Sequence, residues 1–402
     1  MTVTCVPNED NPKRGGHGTS IFAQQSGSVF DEISRLCSYH DAVDLALGAP
    51  DLPTEKVIIE AAVEALRGGL NQYSDSWGDQ RLRVAISEKV HHHLRVSVDP
   101  QTEITVTCGT TEAMINVVLS LLSPGDEVIL FEPFYSSYIP VIALSRTTAR
   151  YVQLYRPDWT FDEQELRAAF NDRTRAIVIN TPSNPTGKVF NSEELRLIAE
   201  LCREWDVISI CDEVYEHMVY DGQEHRSMLQ FGDLRERAIV LSGLSKTYSL
   251  TGWRVAYVIA PPELTKVIRV AHGYTTYCAP TPLQAAAICA LHLPDSYYRK
   301  FCREMQTRRD RLLSILERCG FICFKPAGAF YLMTDIRDLG HSDDMEFAQF
   351  LIKEIGVAAM PGSSFYSNRS RGNGLVRFCF GKSEATLDAA EERLSRLMRR
   401  VT

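Results

Sequence analysis

From about residue 55 the chain alternates helical periodicity with short apolar runs, each run ending in polar or turn residues. The runs at 104–108, 127–131, 176–180, 207–211 and 238–241 are rich in Ile and Val and are short enough for strands. Strands alternating with helices build βαβ units, so the pattern predicts an α/β fold around a largely parallel sheet. Ligands in such sheets bind beyond the carboxyl ends of the strands, which makes the residues after each run the place to look for chemistry. The spacing also predicts a helix from Pro53-Thr54 through Leu66, another over 80–95, and a long Arg-rich one over 296–318. Beyond it the texture changes. Strand candidates at 320–324, 329–333 and 376–380, with helices near 344–354 and from about Ser383, predict a smaller α+β domain.

A length of 402 residues fits two domains. An apolar fraction of 45% with 23% charged residues is that of a soluble globular enzyme. The net charge of -8 argues against nucleic-acid binding, and no basic run marks a membrane-binding patch. No uncharged apolar run reaches the ~18 residues a membrane span needs. The first ten residues lack the basic start and apolar core of a signal peptide. Eleven cysteines, an odd number without paired metal spacing, predict a reducing, cytoplasmic setting. Residues 1 to about 20 are expected to form a mobile arm, and Gly16-His17-Gly18 follows no strand, so it is not a nucleotide fingerprint. His91, His92 and His93 fall on a helical pattern among charged residues, where neighbours do not share a face, so no metal site is expected there.

Lys246 follows the run 238–241, is flanked by Ser245 and Thr247, and has Arg254 eight positions on. A lysine that condenses with an aldehyde, beside a cation and hydroxyls that hold a phosphate, meets the needs of pyridoxal phosphate. Gly109-Thr110-Thr111 follows a strand run and opens a helix, whose free amides suit a phosphate; Thr111-Glu112 is also an ordinary helix cap. Ser245 and Arg254 would add to that phosphate site. Asp212 ends the run 207–211, where a carboxylate needs a positive partner such as a protonated pyridine nitrogen; capping a helix is the alternative. Tyr215, three residues on, can hydrogen-bond the phenolic oxygen of the ring. Asn184 can donate to the same oxygen, from a turn forced by Pro182, Pro185 and Gly187 that would exist without any such role. Tyr135 follows a strand run and can stack on the ring or simply fill the core. Arg377 interrupts the apolar run 375–380, as a clamp for a substrate α-carboxylate or as half of a structural salt bridge.

With these residues in order, the chain resembles the fold-type I pyridoxal-phosphate enzymes of the class I/II aminotransferase family. Its texture is that of the kynurenine aminotransferase and succinyl-diaminopimelate aminotransferase branch. The motifs that carry the likeness are Leu47-Gly48-Ala49-Pro50-Asp51, Asn71-Gln72-Tyr73, Glu132-Pro133-Phe134-Tyr135, Asn184-Pro185-Thr186-Gly187, Asp212-Glu213-Val214-Tyr215, Ser245-Lys246-Thr247-Tyr248 and Val376-Arg377-Phe378-Cys379-Phe380. The resemblance implies a large domain with a mainly parallel, seven-stranded sheet flanked by helices, plus a smaller α+β domain. The expected division is an N-terminal arm with part of the small domain over 1–47, the large domain over 48–295 and the C-terminal small domain over 296–402. It also implies a homodimer with shared active sites. Tyr73 would then reach the phosphate of the neighbouring subunit, Gly48 would lie near the substrate carboxylate, and Tyr277 and Cys278 would enter the partner's pocket. Relatives often carry serine three residues before the lysine and glycine two after the arginine; here those places hold Gly243 and Ala256. Ser242 and Ser245 are therefore both candidates for the phosphate.

The implied reaction moves the amino group of an L-amino acid to a 2-oxo acid through a Schiff base on Lys246, with Lys246 as proton carrier and Asp212 stabilising the ring. The same fold hosts β/γ-eliminations and cyclisations, the alternative outcome. A ligand-sensing regulator would need a winged-helix segment, and the 47 residues before Gly48 are polar and irregular. Phe22, Tyr135, Tyr277 and Cys278 are candidates for an apolar or aromatic substrate pocket.

Overall fold

In the computed structural model of the chain, residues 29–401 are described. A two-residue strand β1 (Val43–Asp44) precedes β2 (Ile104–Thr107), β3 (Glu127–Glu132), β4 (Thr148–Gln153), β5 (Thr174–Asn180), β6 (Ile208–Asp212), β7 (Ala238–Gly243) and β8 (Ala256–Ile259). Strands β2 to β8 form one seven-stranded sheet in the order β2-β8-β7-β6-β5-β3-β4. Pairing is parallel from β4 through β7, while β8 runs antiparallel to both β7 and β2.

The apolar runs become strands because both faces of this sheet are covered. Along β5, Ile177 and Ile179 enter one core while Ala176 and Val178 enter the other. The same alternation sends Ile129 and Phe131 of β3 to the first core, and Val128 and Leu130 to the second. Side chains on both faces are apolar, so these segments read as unbroken hydrophobic runs. The strands observed match the expected ones to within two residues at either end. Two strands of this sheet have no counterpart in the expectations: β4, an edge strand with mixed exposure, and β8; elsewhere the two-residue strands β1 (Val43–Asp44), Val357–Ala358 and Met360–Pro361 have none either.

The remaining strands are β9 (Ile322–Phe324), β10 (Tyr331–Asp335), β11 (Val357–Ala358), β12 (Met360–Pro361) and β13 (Leu375–Cys379). Four of them make an antiparallel sheet in the order β12-β13-β10-β9, and β11 pairs in parallel with β1. The N-terminal helix Val29–Tyr39 and β1 therefore lie with the C-terminal part of the chain. The long helix is Asp295–Arg318, and the helix expected over 344–354 is α-helical over Asp344–Phe350 and then widens to a π-helical turn. Among the described residues no helix is long and apolar enough to cross a membrane.

Strand register sets the site. Asn180, the last residue of β5, lies opposite Asp212, the last of β6. Lys246 follows the end of β7 by three residues, and Gly109 follows the end of β2 by two. The loop that carries Asn184 leads into helix Ser192–Glu204, whose start is fixed by a reciprocal cap between Asn191 and Glu194. Such a cap contributes about 1 kcal/mol.

Candidate active site

A cavity of about 300 Å³ opens beyond the carboxyl ends of β5, β6 and β7, and its walls include Lys246, Asp212, Tyr215, Asn184, Tyr135, Gly48, Thr110, Thr111, Ser245, Arg254 and Arg377. Residues far apart in the chain thus meet in one place.

Lys246 Nζ donates to the Gly48 carbonyl at 2.6 Å and lies over the Phe330 ring. Burial, with the Arg377 and Arg254 charges acting the same way, brings its pKa down from 10.5 to about 8. A far larger share of this amine is therefore uncharged and nucleophilic near neutral pH than for an exposed lysine. Asp212 is buried, and its Oδ2 accepts from the Tyr138 hydroxyl at 2.7 Å. Burial pushes its carboxyl above the ordinary range, and the Tyr138 hydrogen bond only partly offsets this. No cation pairs with it at contact distance among the described residues, so it has room for a positively charged partner.

Tyr215 shares a hydrogen bond of 2.9 Å with the Tyr331 hydroxyl. Gly48 makes room for that pair: a Cβ there would fall 1.9 Å from the Tyr331 hydroxyl oxygen. Tyr331 also stacks on the Arg377 guanidinium, which lies 4.2 Å from its ring centre. Arg377 is fully buried; Nη1 donates to Asn184 Oδ1 at 2.6 Å and Nη2 to the Ala46 carbonyl at 2.7 Å, while Nε has no partner. No carboxylate reaches Arg377 among the described residues, so none of them makes it half of a structural salt bridge. With its oxygen committed to Arg377, Asn184 has its amide nitrogen free to turn the other way.

The helix Thr110–Leu121 begins without a side-chain cap, which leaves its first amides available. Gly109 has φ +87, and a Cβ there would fall 2.1 Å from Arg254 Nη2, so only glycine lets the guanidinium lie across this helix start. Arg254 has no carboxylate partner among the described residues. Two guanidinium groups without carboxylates, a buried carboxylate without a cation and a buried amine of lowered pKa form one complementary set. It fits pyridoxal phosphate together with an amino-acid carboxylate.

The two serines separate. Ser245 faces the cavity, whereas the Ser242 hydroxyl is buried and donates to Glu216 Oε1 at 2.6 Å, beside the ion pair of Glu216 with Lys89. Ser242 is thus removed from the candidate phosphate ligands. The two departures from the family pattern also face each other: Gly243 pairs with Ala256 across β7 and β8, and a Cβ on Gly243 would fall 2.7 Å from that of Ala256. An alanine at 256 therefore requires a glycine at 243. Ser245→Ala is expected to weaken cofactor retention about tenfold or more, the scale of a lost hydrogen bond to a charged group. Ser242→Ala should lower thermal stability and leave cofactor affinity unchanged; dialysis of the two holoenzymes compares them.

Tyr73 and Tyr277 do not line this cavity. They are 79% and 48% exposed and meet edge to face at 5.0 Å on the surface. Phe22 lies outside the described residues, as does the arm expected over residues 1 to about 20. His92 pairs with Asp295 away from the cavity, and the His93 ring packs on His217 and Tyr298. Three cavity-side residues carried no sequence signal: Phe30 and Tyr331, which line the cavity, and Tyr138, which holds Asp212. Tyr331 sits within an apolar run that reads as core, and only the register of β10 with β13 places it on the same sheet face as Arg377.

The model of the family described as aminotransferase class I and II matches residues 40–394. A probable N-succinyldiaminopimelate aminotransferase of Mycobacterium tuberculosis is 39% identical, over 93% of this chain and 96% of its own. Kynurenine–oxoglutarate transaminase 1 of Homo sapiens is 36% identical, over 90% of this chain and 94% of its own. A crystal structure from Escherichia coli, reported with a methionine aminotransferase function, superposes with a TM-score of 0.90 at 36% identity, over 94% of this chain and 99% of that one. Matches of that extent reach from the helix at Thr110 to the strand of Arg377, and the chain belongs to the class I and II aminotransferases, pyridoxal-phosphate enzymes that exchange amino groups between amino acids and 2-oxo acids.

Proposed function

We propose that this aminotransferase acts on L-amino acids with uncharged, apolar or aromatic side chains. The observation that carries this is the cavity's charge inventory. Its described cations are Lys246, Arg254 and Arg377, and the reading gives each a duty, while Phe30, Leu47, Tyr135 and Tyr331 supply apolar and aromatic wall. A second substrate carboxylate finds no fourth cation among the described residues there. Among the relatives, those named for methionine and kynurenine fit this inventory better than the one named for an N-succinylated diacid.

When bound, pyridoxal phosphate supplies a ring that accepts the electron pair left on the substrate Cα as its proton departs. Arg254, Ser245 and the first amides of the helix at Thr110 and Thr111 would hold the phosphate. Asp212, kept in place by Tyr138, would keep the ring nitrogen protonated. Tyr215 and Asn184 would donate to the phenolic oxygen, and Tyr135 would cover the ring. Arg377 grips the α-carboxylate near Gly48, which orients the Cα–H bond. Lys246 Nζ would take that proton and give it up again, and its lowered pKa suits a group that must both gain and lose a proton.

We also infer a homodimer with shared sites and the division of the chain at about 47 and 295. The parallel pairing of Val43–Asp44 with Val357–Ala358 supports the division. Exposed Tyr73 and Tyr277, with Val267, Val270 and Tyr274 along helix Pro262–Thr275, support the dimer. A monomeric mass in solution would contradict it. The cysteines among the described residues are all free, which supports a cytoplasmic location.

The test is a single-turnover screen of amino acids against the holoenzyme. Methionine or an aromatic amino acid should bleach the cofactor band and release its 2-oxo acid. Preference for a dicarboxylic amino acid, or release of ammonia or a cyclic product, would contradict the reading. Arg377→Gln is expected to raise KM for the amino acid by about a hundredfold or more, the scale of a lost buried charge pair. An unchanged KM would remove Arg377 from the carboxylate.

A further inference from the structure

Glu112 occupies the third position of helix Thr110–Leu121 and is buried. Its Oε2 accepts the Cys108 amide at 2.8 Å. Its Oε1 faces His272 Nδ1 at 2.8 Å and Thr275 Oγ1 at 3.0 Å, and also accepts from the Asn116 amide. The Cys108 and Asn116 amides can only donate, one to each oxygen, which favours the ionised carboxylate, while the Thr275 hydroxyl lies nearer still to Asn116 Oδ1, at 2.8 Å. So close to the helix start, the negative charge of Glu112 opposes a phosphate bound there.

The opposing charge has a partner of its own. His272 is fully buried, and while Nδ1 faces Glu112, Nε2 faces the Ser76 carbonyl oxygen at 2.7 Å. Thr276 Oγ1 at 3.3 Å and the Asn116 amide at 3.5 Å lie farther from Nδ1 than Glu112 Oε1 does. The two short contacts are thus to an ionised carboxylate and a carbonyl oxygen, which only accept, so each ring nitrogen donates and the ring is an imidazolium. Burial alone would raise the Glu112 carboxyl, yet the hydrogen bond and charge of His272 hold it below its ordinary value.

We infer that His272 is a buried cation that cancels the charge of Glu112 and so keeps the helix start at Gly109–Thr111 attractive to the cofactor phosphate. His272 is a positioning residue: it acts through Glu112 and touches neither cofactor nor substrate. It also ties the cradle to the Ser76 segment, three residues from Tyr73. The inference rests on the reading of Gly109, Thr110, Thr111 and Arg254 as the phosphate site.

The test compares dissociation of pyridoxal phosphate from the holoenzyme with binding of pyridoxal, which lacks the phosphate. His272→Asn is expected to weaken pyridoxal phosphate about tenfold, the scale of one uncompensated charge at this range, and to leave pyridoxal unaffected. Adding Glu112→Gln should restore the affinity, because neutralising the carboxylate removes the need for the cation. Equal weakening of both vitamers, or a double variant no better than the single one, would reduce His272 to a packing role and overturn the inference. Where His272→Asn fails to fold, Glu112→Gln alone decides: it should bind pyridoxal phosphate as tightly or more tightly, and looser binding contradicts the charge argument. Arg254→Gln keeps the two readings apart. If it leaves the affinity unchanged, the phosphate site itself is wrong; if it lowers affinity while His272→Asn does not, only the role of His272 falls.

Discussion

Lys246→Ala is expected to give a folded protein that shows no absorbance of covalently held cofactor and turns over at least about ten-thousandfold more slowly, the upper range for loss of a general acid–base group. Two losses combine in the one substitution. The chain loses the amine that fixes the cofactor, and it loses the group that moves the proton at Cα. The amine is buried, and its Nζ is aimed by the Gly48 carbonyl at 2.6 Å. No neighbouring lysine lines the cavity among the described residues, so no second amine can take its place. Near-normal turnover in the variant, followed by 2-oxo acid release, would remove Lys246 from the reaction.

Asp212→Asn should cost about a thousandfold in kcat while changing KM little, because its effect is felt where charge develops in the transition state. The carboxylate is buried, it is held by Tyr138, and burial makes its ionised form costly until a cation arrives. The asparagine keeps the shape and loses the charge, so the rate reports the charge alone. A variant in which KM rises and kcat is preserved would show that Asp212 acts in binding only. Tyr138→Phe, which removes the neighbouring hydrogen bond, would be a milder version of the same perturbation.

Much of the site was legible because strand ends concentrate chemistry. Lys246, Asp212, Asn184 and Gly109 each follow an apolar run, and a polar residue at such a place stands out against Ile and Val. Arg377 was visible for the opposite reason, as a charge within an apolar run. What escaped notice depends on contacts distant in the chain. Tyr331 is an aromatic residue in an apolar segment until the fold brings it to Tyr215 and Arg377. Glu112 reads as a cap, and nothing local links it to His272, 160 residues away. Gly243 and Ala256 looked like separate departures from the family pattern until the register of β7 with β8 made them one packing decision.

The fold shows the same division. Strands buried on both faces were plain as apolar runs, whereas β4 at the sheet edge is half-exposed and mixes Arg and Gln with its apolar residues. β8 follows the arginine motif closely and reverses direction, which periodicity alone does not report. The choice between Ser242 and Ser245 was likewise out of reach of the sequence. Both hydroxyls precede Lys246 within four residues, and the buried Glu216–Lys89 pair claims one of them.

Borohydride reduction of the holoenzyme, followed by peptide mass spectrometry, tests the central claim most directly. The reduced phosphopyridoxyl group should be found on Lys246 and on no other lysine. A label on a different lysine, or a protein that takes up pyridoxal phosphate and yields no labelled peptide, would contradict the account.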